Sequence, residues 1–266
     1  MNPGLHRGFP GASWQAFPMT LVFKIDWSAE ATSVTIVDVA ARNTVAEGQS
    51  RHALATTIVE NADQWWSAFV DASRIALDGL AVLNLTVDDI RLIELAGNEP
   101  AGGLVAFNNS GEVCAALSSD HAESNDDAEW LVTQCSGGAE QWNALTGVVP
   151  TAGSTAALLS WLHRSAPEAW SSLHSFTLPI GYLATRLGGT PSLSMSTASG
   201  SCVVDRESGS WCTSLLELID PQRDCNDAVP PIASAATPIG ALRSDAADAL
   251  GLPVGRPLHV GNPIGA

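Results

Sequence analysis

A mixed α/β fold is what this sequence predicts, on three observations. Leu21 to Asp38, LVFKIDWSAEATSVTIVD, reads as two apolar, β-branched runs joined by a turn of small and polar residues, Ser28 to Ser33. Asn61 to Leu77 carries Trp65, Phe69, Ala72 and Ala76 along one face at helical spacing. Further apolar runs of strand length then alternate with short helical segments, with no internal repeat.

Each element follows in order. In the opening hairpin Val22, Phe23 and Ile25 build one strand, and Val34, Ile36 and Val37 the next. Asp26 stands at its lip, where a carboxylate either meets a metal or phosphate or caps its own turn. Thr44 to Arg51 offers a third strand after the turn residues Arg42 and Asn43, completing a three-stranded meander. The helix from Asn61 has Asn61 or Asp63 as its expected cap. Ile90 to Leu95 is a buried strand that stops at Gly97. Leu104 to Phe107 and Val113 to Leu117 flank the hairpin signal Asn108-Asn109-Ser110-Gly111.

The second half is richer in helix. Asp126 to Gln134, Ala139 to Leu145, Ser154 to His163, Pro167 to Leu173 and Pro179 to Leu187 are short, and several start at Pro or a small polar residue. Pro191 to Trp211 is Ser-rich and reads as flexible, and Pro221 to Pro238 reads as a loop. A last strand, Pro257 to Val260, precedes an ending that reads as cut short.

Composition narrows the function classes. At 266 residues, with 45% apolar residues and nine Trp, the chain can bury a sizeable core. The 28 acidic residues against 12 basic ones give a formal charge of −16, and Lys24 is the only lysine. That balance disfavours nucleic acid and anionic membrane, which both need Lys and Arg to replace counterions. No apolar run approaches the ~20 residues of a bilayer crossing. Five scattered cysteines without a CxxC pair read as reduced thiols of a cytoplasmic protein. Residues 1–20 read as a flexible leader without a secretory apolar region, with Met19 as an alternative start.

Generic motifs are missing. There is no HExxH among the six histidines, no GxSxG, and no GxxxxGK[ST]. Asp120 to Asp127 offers carboxylates to a divalent cation, or else is a solvated acidic turn leading into a helix.

Taken together and in order, IDWSAEATSVTIVD, ENADQWWSAF, ELAGNEP, VAFNNSGEVCAALSSD, ALTG, TAALLSWLHRSAPEAW, TLPIGYLATRLGGT and SMSTASGS resemble the landmarks of the amino-terminal domain of FGGY carbohydrate kinases of the xylulokinase-like type. The resemblance spans residues 21–262. It implies a ribonuclease-H-like domain of the actin and hexokinase type, with a mixed five-stranded sheet flanked by helices. It also implies ATP-dependent phosphorylation of a pentulose or related sugar, with Mg2+ and ATP as cofactors. The partners it implies are a small-molecule sugar and, since the family's second, nucleotide-binding domain reads as absent, another copy or a separate chain.

Carried over position by position, the site is altered. The family's phosphate hairpin reads Asp-hydrophobic-Gly-Thr-Ser, against Asp26-Trp27-Ser28-Ala29-Glu30 here. Asp26 and Ser28 therefore stand on the phosphate and metal side, with Asp26 as the metal candidate, and Glu30 puts a negative charge where donors are needed. On the substrate side the family's Gln-Met-His-Gly is Asn98-Glu99-Pro100-Ala101, and Trp-Asn-Asp is Ser118-Ser119-Asp120, so the candidates are Asn98, Glu99 and Asp120. The lysine of Lys-Leu-Leu-Trp is Leu158, and the Lys-Asp before Tyr182 is Ile180-Gly181. The general base of Gly-Gly-Asp-Asn falls on Gly261, which leaves no catalytic residue and implies an inactive chain, or a non-catalytic sugar-binding or regulatory module. Asp26, Asp120 and Gly261-Asn262 are expected to line one wall of an open cleft.

Overall fold

In the computed structural model, which describes residues 20–97 and 102–261, the opening hairpin is the centre of a six-stranded sheet. Strands β1 (Leu21–Trp27), β2 (Ala31–Asp38) and β3 (Asn43–Arg51) form the antiparallel meander that their β-branched alternation calls for. Helix α1 (Glu60–Val82) crosses over, and β4 (Ile90–Gly97) returns parallel to β1, with Asp26 level with Ala96. The helix is longer than its apolar face predicted. Neither Asn61 nor Asp63 caps it: Asn61 donates Nδ2–H to Ala116 O at 2.7 Å, and the Glu60 carboxylate instead takes the Thr56 amide and hydroxyl.

A second, three-stranded sheet is built from β5 (Leu104–Phe107) and β6 (Val113–Leu117), joined by a turn in which Asn108 Oδ1 accepts from the Ser110 and Glu112 amides. Helices α2 (Asn125–Gln134), α3 (Gly138–Thr146), α4 (Thr155–Ser165) and α5 (Pro167–Ser172) follow. Strand β7 (Ser175–Thr177) then completes the small sheet against β5. The rest is α6 (Pro179–Leu187), α7 (Met195–Ser199), α8 (Thr213–Leu216), β8 (Gly240–Ala241), α9 (Ser244–Leu250) and β9 (Pro257–Val260). β9 pairs parallel with β4, giving the order β3-β2-β1-β4-β9-β8.

Five of these strands are the mixed sheet expected from the family resemblance. The sixth, β8, is a two-residue edge beside Pro238, too short for any alternation to announce it. The Ser-rich stretch from Pro191 to Trp211 is ordered rather than flexible. Leu193, Ala198, Cys202, Val203 and Val204 are buried, and its hydroxyls bond locally, with Ser194 capping α7 and Ser201 Oγ donating to Ala198 O at 2.6 Å. Ser201 is buried and Ser194 half-buried, and both serve backbone groups of the stretch itself.

Two hydrophobic cores result. One lies between the large sheet and α1, α6 and α9, with Phe23, Ile25, Trp65 and Phe69 at its centre; the other lies under α2, α4 and α5 around Trp142, Leu158 and Leu162. β5 belongs to both, sending Val105 and Phe107 to the first and Leu104 and Ala106 to the second, as strand alternation requires.

Candidate functional site

The parallel strands β1, β4 and β9 end together, and that edge holds the predicted site. Asp26 pairs with Ala96 and Leu95 with Val260, so Asp26, Ala96 and Gly261 stand level on neighbouring strands. The Gly261 amide donates to Leu95 O at 3.0 Å, and its backbone is left-handed at φ 72°, which favours glycine there. Along β1, Phe23, Ile25 and Trp27 join the core under α1, while Lys24 and Asp26 alternate onto the opposite face. Lys24 Nζ lies 3.2 Å from Oε1 of Glu94, a buried carboxylate whose register partner on β9 is His259. Burial pushes the Glu94 carboxyl above its usual range, and the charges of Lys24 and His259 only partly offset this.

The hairpin turn spends the Ser28 and Ala31 amides on itself. The Ser28 amide and hydroxyl both reach Ala31 O at 3.0 Å, and the Ala31 amide donates to Ser28 Oγ at 3.2 Å. His52 then closes the turn from outside, its own amide donating to Glu30 O at 2.9 Å. Ala29 O, 3.1 Å from Nδ1, can only accept, so Nδ1 carries the proton and Nε2 accepts from the Thr32 hydroxyl at 3.0 Å. The ring stacks on Trp27 at 5.8 Å between centroids, and Trp27 meets Trp65 edge-on at 5.1 Å. Burial lowers the His52 pKa, with the Ala29 carbonyl and the Asp120 charge pulling the other way. His52 was not among the sequence candidates, since neither metal nor catalytic spacing marks it.

Asp120 is exposed, and its charge acts on His52. Asp26 and Gly261 share one face of the large sheet, the one opposite Ile25 and Val260. Around Asp120 the backbone is drawn tight: Gly103 donates to Gly153 O at 3.0 Å, Gly153 donates to Ser124 Oγ at 2.9 Å, and a side chain at Gly153 would overlap Ser119. Three polar atoms on these segments, Trp27 Nε1, Ser118 Oγ and His121 Nε2, are buried without a hydrogen-bond partner. Such atoms cost about 1–3 kcal/mol each unless water or a ligand serves them. Asn98, Glu99 and Asn262 lie outside the described residues.

The sequence profile of the FGGY family of carbohydrate kinases, N-terminal domain, matches residues 21–262. The chain belongs to that family. It is 31% identical to the xylulose kinase of Streptomyces rubiginosus over 183 residues, 68% of this chain and 36% of that protein. With the xylulose kinase of Haemophilus influenzae it shares 23% over 232 residues, 85% of this chain and 47% of the relative. Among solved structures, the xylulose kinase of Rhodospirillum rubrum superimposes with a TM-score of 0.74 at 23% identity, covering 91% of this chain and 49% of that one. The chain thus spans about half, or less, of the length of the relatives it matches. These superpositions carry the fold, the actin and hexokinase type of α/β domain.

FGGY kinases in general use ATP and a divalent metal ion. Asp26 is suited to be one oxygen ligand of such an ion, but among the described residues no three His, Cys, Asp or Glu side chains gather into a metal site. The turn fits a triphosphate poorly. The Ser28 and Ala31 amides are already bonded, and Glu30 projects a carboxylate into solvent beside them.

Proposed function

We propose that this FGGY domain binds a pentulose or a related small sugar at the Asp120 side of its cleft and does not by itself transfer a phosphoryl group to it. The observation that carries the reading is Gly261. By the family resemblance the general-base position falls on Gly261, which stands level with Asp26 across the sheet and brings no acceptor for the proton of a sugar hydroxyl. A placed base is worth about 10²–10⁴-fold, and the phosphoryl group also needs donors, whereas the turn has bonded its Ser28 and Ala31 amides and carries the Glu30 carboxylate beside them. The unserved polar atoms of Trp27, Ser118 and His121 favour a polar ligand beside Asp120. The xylulose kinases among its relatives favour a pentulose.

Calorimetric titration with D-xylulose, paired with an ATP and Mg2+ assay for sugar phosphate, tests this directly. Binding should be present and should weaken about tenfold in Asp120→Ala, the loss of one charge-assisted hydrogen bond. Sugar phosphate should stay at background, and Gly261→Asp should not restore it, because positioning the two substrates accounts for ~7–11 kcal/mol that a base does not supply. ATP-dependent turnover by the wild-type chain, abolished in Asp26→Ala, would overturn the reading.

A further inference from the structure

A cavity of about 530 Å³ is lined by residues of α2 and α4 together with Ile219. Its polar wall is organised around a buried carboxylate. Asp127, 3% exposed, accepts Arg164 Nε–H at 3.1 Å and Nη2–H at 2.6 Å, and Ser160 Oγ–H at 3.2 Å. This fork holds the guanidinium plane still, with its charge secured by the hydrogen bonds to Asp127. Of the five N–H groups on Arg164, two are spent on Asp127, and the outward three remain for a ligand. The Trp130 indole lines the same cavity, 43% exposed in a protein whose other large aromatic side chains are mostly buried. His163, its ring held at 5.0 Å from Trp170, and the exposed carboxylate of Asp126 complete the lining.

From this arrangement we infer a second binding site, for a small uncharged sugar or polyol, stacked on Trp130 with its hydroxyls facing Arg164 and Asp126. An aromatic platform takes the C–H face of a sugar ring, while a fixed donor plane beside an acceptor matches adjacent hydroxyls. The electrostatics select for an uncharged ligand. Asp126, Asp127 and Glu123 all act on the single Arg164, so the lining carries surplus negative charge and disfavours phosphates. The site shares no lining residue with the Asp120 side of the cleft and does not depend on phosphoryl transfer there.

Titration of the isotope-labelled full chain with methyl α-D-glucopyranoside, followed in wild type by the Trp130 indole N–H resonance and in every variant by the Arg164 Nε–H resonance, tests the site. A saturable shift at millimolar glycoside is expected. Trp130→Ala should abolish binding, Trp130→Phe should keep it within about threefold through the remaining aromatic face, and Asp120→Ala should leave it unchanged. Because Trp130 is exposed, both substitutions should preserve the melting temperature. Free indole and inorganic phosphate should leave both resonances unmoved. No saturable shift with the glycoside, binding that persists in Trp130→Ala, or a preference for indole or phosphate would each overturn the inference.

Discussion

Two buried titrating side chains give the molecule opposite responses to acid. Glu94 holds its proton more tightly in the folded chain than in the unfolded one, because burial disfavours the carboxylate. Its contribution to stability is complete below its unfolded value of 4.5 and is lost as pH rises through the raised folded value. His52 behaves the other way. Burial keeps it neutral, so its contribution is complete above 6.5 and is lost as pH falls through the lowered folded value. Melting temperatures measured from neutral pH downwards should therefore separate the two by variant. Relative to wild type, Glu94→Gln should lose the gain on acidification, and His52→Asn should lose part of the acid destabilisation. If both variants follow the wild-type profile, neither group titrates with folding. The Glu94→Gln change should be tolerated at neutral pH, since Lys24 is partly exposed and can be hydrated when unpaired.

At the scale of elements, β3 and α1 pack with their backbones in direct contact. A methyl at Gly48 would overlap the Ala72 carbonyl and crowd the Ala76 amide, so the strand and the helix backbone touch only because Gly48 has no side chain. Gly48→Ala should cost ~1–3 kcal/mol by overpacking, read as a lower urea midpoint with an unchanged slope. Nothing in the sequence flagged Gly48, because close approach across a sheet leaves no periodic signature. The hairpin, α1, β4 and the β5–β6 turn were legible, since Phe23, Ile36, Phe69 and Asn108 each obey a local rule of alternation, helical spacing or turn chemistry. β7 and β8 were not, because three-residue and two-residue strands are defined by their partners. The site was legible in part. Asp26 and Gly261 follow from collinear landmarks, whereas His52 and the Arg164–Asp127 fork come together from residues 20 or more positions away from their partners.

The whole molecule carries its charge of −16 with few cations to offset it. Two of its described ion pairs, Lys24–Glu94 and Arg164–Asp127, have a buried acid, while Arg74–Asp71, Arg186–Asp63 and Arg243–Asp245 pair more exposed groups. Exposed pairs contribute about 0–1 kcal/mol each and lose that in salt. Repulsion among the surplus carboxylates acts over a screening length of ~10 Å at 0.1 M salt and much further below it. Added salt thus weakens a few small attractions and a larger sum of repulsions. The net effect should be stabilising: moving from about 0.01 M to about 0.15 M sodium chloride should raise the melting temperature by a few degrees, the equivalent of ~1 kcal/mol in a chain of this size. Potassium chloride should act alike, because screening depends on ionic strength and not on the cation. A melting temperature that falls with either salt would mean that the ion pairs outweigh the repulsion, and Arg164→Lys, which keeps the charge but loses the two-point fork, would then show the steeper fall.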